Sequence, residues 1–457
     1  MSETSVRGRR PRRIIRGRVP SRAKAVAPVE AGVLDLEAFA LRTTGLPVWP
    51  LTVMFGLMPL WWALGVWYFI WPFFGIALFG LLTTRGKVRV PVGATPWLIF
   101  LGIVLVSAIR LERVTQIYVF GLRLGYLFTA FMVCLYVYNL ARDGVPWARI
   151  ANPLCLYWLS MVALGWLGVL APKLSMPSPF QLALPNGVAS ERFVNDVARI
   201  DATEFNPYSE NPIYRPAAPY PYTNNWGTAY SFLVPFVLAC LTSVRRGPMR
   251  IALLISLPLS IVPAFLTLNR GMFIGLGAGV LYLLGREILR GRVRLLLPVA
   301  AIVLIGWLVT LFIPVVDLIT HRTSTTDTTA DRFDLYRQTW AAVLHSPLLG
   351  FGQPNSVDTT HAAEPLGTQG MIWQVLYSHG IPALICLYVF FAVIARRMAA
   401  AVTRTGLWLS ALPIIAVVVT PFYSYIDPNM SVLFFAVGLG LAAVDGPVNR
   451  IPTVRRT

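Results

Sequence analysis

The sequence predicts an all-α, polytopic membrane protein of about twelve transmembrane helices with two large extracytoplasmic loops. Three observations predict it. Of 457 residues, 56% are hydrophobic and only 13% charged, with a mean hydropathy of +0.64, whereas a soluble domain is roughly a quarter charged. The apolar residues gather in blocks of about 17–25, the length that crosses a bilayer core. Inside hydrocarbon every backbone polar group must be paired within its own segment, so such blocks are helices. Finally, the charges that remain are distributed unevenly between the connections.

Taken in order, the spans are predicted near 49–65, 67–83, 94–109, 115–139, 150–170, 228–244, 251–268, 271–285, 295–316, 370–394, 405–422 and 430–444. The first two form a hairpin about Gly65 in an almost continuously apolar run. With the N-terminus inside, the cytoplasmic segments hold 28 of the 39 Lys and Arg but 7 of the 20 acids. That asymmetry is the positive-inside bias, and it sets both termini in the cytoplasm. The net charge of +19 is therefore a topology signal, and no nucleic-acid partner is expected.

Residues 1–47 read as a basic, disordered cytoplasmic tail beside anionic headgroups, 48–444 as the transmembrane domain, and 445–457 as a short cytoplasmic tail. No apolar core follows the Arg-rich start closely enough for a cleaved signal. Cys134, Cys155, Cys240 and Cys386 fall inside predicted spans and read as packing residues. Gly271, Gly275 and Gly279 repeat every fourth residue within an apolar helix. No strand precedes them, so they predict close helix packing rather than a nucleotide loop.

Two connections differ from the short basic ones. Residues 171–227 are rich in Pro, Asn, Tyr and acids, and 317–369 hold three of the four histidines and most extracytoplasmic charge. Long structured loops are uncommon unless functional. Arg270 lies where the seventh span turns into the eighth, and Arg332 follows Asp331, a candidate N-cap for an amphipathic surface helix with a stripe of Leu335, Thr339, Trp340 and Val343. Arg123 is buried in the fourth span, where a pairing or functional role is the default. Guanidinium groups converging at the outer leaflet suit a lipid-linked diphosphate, whose oxygens match their fork of donors. Arg270 and Arg332 are the first candidates, with Arg123, Arg337 and Arg215 as supporting ones.

A base to activate an acceptor hydroxyl is then required. His361 is the leading candidate and His345 reads as a helix-end cation, with Asp331, Asp334 and Glu364 behind them. No histidine or acid spacing suggests a metal, so no metal and no cofactor are expected. Tyr222, Asn224, Asn225 and Trp226 combine aromatic faces with amides, a pattern shared by glycan sites and interfacial belts. A transporter or flippase for lipid-linked oligosaccharide is the alternative class, but it should place ionisable groups and broken helices near mid-membrane.

Several stretches resemble the O-antigen ligase and polymerase superfamily of bacterial envelope enzymes. Leu266-Thr-Leu-Asn-Arg-Gly271 is similar to that family's Ser-Arg-Gly-type helix start. Arg332 through Leu344-His-Ser-Pro-Leu-Leu-Gly-Phe-Gly352 is similar to its Arg-bearing helix and Pro-Leu-x-Gly-x-Gly turn, and 366–380 to the approach to the next span. Thr223-Asn-Asn-Trp-Gly227 resembles an Asn-containing start of an earlier span. The resemblance implies metal-independent, inverting transfer of a glycan from an undecaprenyl-diphosphate carrier to a hydroxyl of a glycan or envelope acceptor. It implies action at the outer face of the bacterial cytoplasmic membrane, with Arg270 and Arg332 on the diphosphate. The family's histidine position holds Gln369 here, and His361 lies eight residues earlier.

Overall fold

The computed structural model describes residues 45–205, 213–243, 246–291, 328–354, 366–368 and 370–446. Among them, eight helices are long and apolar enough to cross a membrane, and sheet is confined to two-residue pairings in the first large loop. The chain is an all-α, multi-pass membrane protein. The helices that matter below are α1 (Trp67–Thr84), α2 (Thr95–Ser107), α3 (Val114–Arg142), α4 (Trp147–Leu170) and α5 (Thr223–Ser243). They continue with α6 (Pro248–Leu259), α7 (Ile261–Leu266), α8 (Arg270–Leu289), α9 (Thr328–His345) and α10 (Met371–Ala399). The last are α11 (Arg404–Leu409), α12 (Leu412–Val419) and α13 (Pro428–Asp445).

Every predicted span but one coincides with a helical stretch. The exception, 295–316, lies outside the described residues, as do 1–44, His361, Glu364 and Gln369. Several spans are segmented. The first is broken by a π-helical stretch over Thr52–Gly56, the seventh is divided at Ser260 into α6 and α7, and the eleventh into α11 and α12.

Two prolines free carbonyls that side chains of neighbouring helices take up. Pro72 has no N–H for the Tyr68 carbonyl, and the Tyr126 hydroxyl donates to that oxygen at 3.0 Å instead. Likewise Pro263 frees the Leu259 carbonyl, which accepts Trp166 Nε1 at 2.9 Å. In hydrocarbon these side chains replace what water would supply. The centre of the bundle is α13, buried along nearly its whole length and packed on α3. Gly438 sits against the Cys134 backbone, where a Cβ would come within 2.8 Å of the carbonyl oxygen.

The predicted glycine stripe packs as expected. Gly271 faces Tyr423, Gly275 faces Val419 and Ile415, and Gly279 faces Ile415. The four cysteines are free and buried or half-buried.

At one end of the bundle, Arg85 and Arg89 pair with Asp143 at 2.5 and 2.7 Å, and Arg397 pairs with Asp445 at 2.6 Å. These contacts gather the ends of α1, α3, α10 and α13 on one face. The first large loop lies on the opposite face, hereafter the loop face. Its short strands Ser175–Met176 and Ile200–Asp201 pair, as do Thr203–Glu204 and Arg215–Pro216.

Candidate active site on the loop face

The chain reaches Arg270 through a constrained turn. Leu268 adopts φ 52, a left-handed conformation costly for a bulky side chain. Asn269 follows as N-cap of α8, its side chain accepting the Met272 N–H at 2.9 Å. The Asn269 amide donates to the Thr223 and Asn224 carbonyls at 3.3 and 3.4 Å, tying α8 to the start of α5. Gly227 lies directly against this side chain, leaving no room for a Cβ. Arg270 then opens the helix as an exposed residue. Gly271 must be glycine because a Cβ there would fall 2.2 Å from the Tyr423 ring, and its N–H donates to the Tyr423 hydroxyl at 3.3 Å.

Tyr423 belongs to a connection, residues 420–427, on which the other motif stretches also converge. Met371 N donates to the Tyr423 carbonyl and Ile372 N to the Thr420 carbonyl, both at 3.2 Å. Tyr336 of α9 stacks on Trp373 with ring centroids 4.5 Å apart, and its hydroxyl donates to the Pro421 carbonyl at 3.4 Å. The Arg332 position lies one helical turn before Tyr336, on the same face of α9. The start of α8 and the middle of α9 thus share one anchoring segment.

The Pro347-Leu-Leu-Gly350-Phe-Gly352 turn also has a physical role. Helix α10 breaks at Gly380, whose φ of 80° and ψ of −179° suit only glycine. Pro382 cannot donate to the Ser378 carbonyl, and Gly352 N does so at 2.8 Å. Phe351 N serves the Tyr377 carbonyl and Ile381 N donates to the Pro347 carbonyl, each at 2.8 Å. The turn therefore completes a broken membrane helix and locks α9 to α10.

At the N-terminus of α13, Asp427 accepts the Asn429 N–H at 2.7 Å and the Asn225 amide. The Tyr220 hydroxyl donates to Asn429 Oδ1 at 2.7 Å, and Asn429 Nδ2 returns to the Asn225 carbonyl at 3.0 Å. Burial pushes the Asp427 carboxyl up to about 7, against the two hydrogen bonds that favour its charged form. Burial likewise raises Tyr220 well above the usual phenol range.

Several expected residues have other tasks. Arg215 pairs with Glu204 at 2.5 Å, and Glu204 also accepts the Thr223 N–H and hydroxyl at 2.7 and 2.8 Å, so this group caps α5. Trp226 is fully buried, stacked on Tyr230 at 5.3 Å and on Gly165, and offers no face to a sugar. The Asn225 amide is engaged by Asp427 and the Asn224 carbonyl by Asn269. Tyr222 remains 40% exposed and donates to Asp196 at 2.6 Å. Helix α9 begins at Thr328, so Asp331 lies inside it rather than capping it. Thr339 and Val343 face inward, while Trp340 is turned out. Arg337 and His345 are exposed.

Asp427, Tyr423 and His379 had no place among the expected site residues. Asp427 was legible as an Asx-Pro helix start before the last span. Tyr423 carries no local signal, because its role depends on a glycine 152 positions away. No group of three or more His, Cys, Asp or Glu that could hold a metal occurs among the described residues.

Residues 252–388 match the family model described as O-antigen ligase. No curated protein matches the chain.

Proposed function

On the premise that the chain belongs to the O-antigen ligase and polymerase superfamily, a group of membrane glycan-transferring enzymes, we propose that its donor is a glycan on undecaprenyl diphosphate. The acceptor is a hydroxyl of a glycan or envelope component, and the loop face is the extracytoplasmic face of the bacterial cytoplasmic membrane. The observation that supports this most is that Gly271, beside Arg270, and Tyr336, one turn after the Arg332 position, both bond to the connection 420–427.

The chemistry follows from charge. Attack of the acceptor oxygen on the anomeric carbon breaks the bond to the diphosphate, whose oxygens gain negative charge. Arginines already held in place stabilise that charge more in the transition state than in the ground state. Arg270 projects from a helix start fixed by Asn269 and Tyr423, so little reorganisation is needed. His361 is the proposed base that receives the acceptor proton, Arg337 a supporting cation, and Tyr222 a contact for the glycan. No metal takes part. Both termini then lie in the cytoplasm, with the Arg85, Arg89 and Arg397 face toward it.

The test separates transfer from transport. Full-length protein in proteoliposomes receives donor and acceptor with a metal chelator, and the acceptor is analysed by mass spectrometry. The expected product is acceptor carrying glycan, with one undecaprenyl diphosphate released per glycan moved. Donor that crosses the bilayer while the acceptor stays unchanged would replace this reading with a flippase.

A further inference from the structure

At the end of the bundle away from the loop face, the last turns of α8 and the end of α10 border a groove of about 500 Å³. Its α8 wall is two parallel rows. Leu281, Gly285 and Leu289 recur at every fourth residue, and so do Tyr282, Arg286 and Arg290 beside them. Residues four apart are neighbours on a helix surface, so an apolar row runs next to a basic one. Ala399 of α10, two residues beyond the Arg397 that pairs with Asp445, borders the other side.

The apolar row is turned away from the bundle. Leu281 is 69% exposed and Leu289 89%, and a Cβ added to Gly285 would meet nothing within 4 Å. A notch therefore lies between the two leucines. The basic row is held unevenly. Arg286 is buried and fixed, Nη1 donating to Ser410 Oγ at 2.6 Å and Nη2 to the Ala401 carbonyl at 2.5 Å, both neutral acceptors. Arg290 is loose, since it reaches the Ala399 carbonyl only at 3.5 Å and the Glu287 carboxylate only at 3.8 Å. Glu287 offsets one of the two guanidinium charges and leaves the other over. Beside hydrocarbon, a charge without a partner is costly.

One kind of molecule satisfies both rows. A free anion would pair with Arg290 and leave the notch empty, and a neutral lipid would fill the notch and leave the charge. An amphiphile with a negative headgroup does both. Arg290 stands at the helix end and Leu281 roughly 13 Å deeper along the axis, so headgroup and chain follow the helix into the bilayer. Basic pockets between membrane helices take such headgroups. We propose that this groove binds one anionic phospholipid, its phosphodiester on Arg290 over the fixed charge of Arg286 and an acyl chain in the notch at Gly285. That the lipid comes from the cytoplasmic leaflet rests on the orientation proposed above. In a protein that labelling turns over, the same lipid would be held from the other leaflet, so the two readings fail separately.

Full-length protein would be released from nanodiscs of mixed phosphatidylcholine and phosphatidylglycerol, and the retained lipid identified by native mass spectrometry. Phosphatidylglycerol is expected to stay bound in preference to phosphatidylcholine. Arg290→Gln should weaken its retention about fivefold, the worth of one basic residue beside an anionic lipid. Gly285→Leu should weaken it too, by filling the notch with no change of charge. Lys87→Gln removes an exposed charge from the connection after α1, at the same end, and should leave retention at the wild-type level. Excess inorganic phosphate should not displace the lipid, and displacement would reduce the site to one for free anions. Equal losses in Lys87→Gln and Arg290→Gln would show general charge attraction and overturn the proposal. Wild-type retention in both Arg290→Gln and Gly285→Leu would overturn it as well, and so would a wild-type protein that retains neither lipid, because protein would then fill the groove. Should Gly285→Leu fail to fold, Arg290→Gln and Lys87→Gln decide it.

Discussion

Arg270 gains its place from the residues around it rather than from its own contacts. Gly271 is the sharpest example, because the Tyr423 ring occupies the space of its missing side chain. Gly271→Ala should push ring and helix start apart, lowering stability by about 1–3 kcal/mol, the usual cost of overpacking. Thermal unfolding in detergent would measure this, and transfer should fall with it as Arg270 shifts. Asp427 offers a pH test. Its carboxyl is held at about 7 when folded, against about 3.9 in an unfolded chain. Folding therefore takes up a proton between those values, and stability falls as pH rises across that window. Asp427→Asn keeps an acceptor for the Asn429 N–H, and should flatten the fall. The difference in unfolding midpoint between about pH 5 and pH 8 would shrink relative to wild type.

Among the elements, the broken helix α10 and the turn that completes it are coupled. A Cβ at Gly380 would meet the Leu348 and Pro347 backbones at 2.6 Å in a conformation that only glycine adopts without strain. Gly380→Ala should therefore cost roughly 1–3 kcal/mol. It should also loosen α9, seen as faster proteolysis between α9 and α10. The span positions were legible in the sequence because apolar length is a local property. The breaks were less so. Pro72, Pro263 and Pro382 are visible in the chain, but the partners that take over their carbonyls, Tyr126, Trp166 and Gly352, are set by packing. The amphipathic surface helix was read with the right extent at its end and the wrong cap. Of the expected stripe, Thr339 and Val343 face inward, whereas Trp340, also placed in it, is turned out. Trp226 looked like a sugar platform from its neighbours Asn224 and Asn225, and only the bundle shows that Gly165 and Tyr230 enclose it.

Among the described residues, Arg85, Arg89 and Arg397 lie at one end of the bundle and the first large loop at the other. Cysteine labelling tests the orientation, since the native thiols are buried or half-buried. A cysteine placed at the exposed loop-face position by Val188→Cys should react with an impermeant thiol reagent in intact cells, and one placed by Thr457→Cys should not. The reverse pattern would turn the protein over and move the site to the cytoplasm. If Arg270 and Arg332 stabilise a departing diphosphate, their loss shows first in the rate of undecaprenyl diphosphate release. Purified wild-type protein with donor and acceptor should release it. Arg270→Ala or Arg332→Ala should slow release about 100-fold or more, the effect of deleting one oxyanion donor. Release at the wild-type rate from both variants would contradict the account.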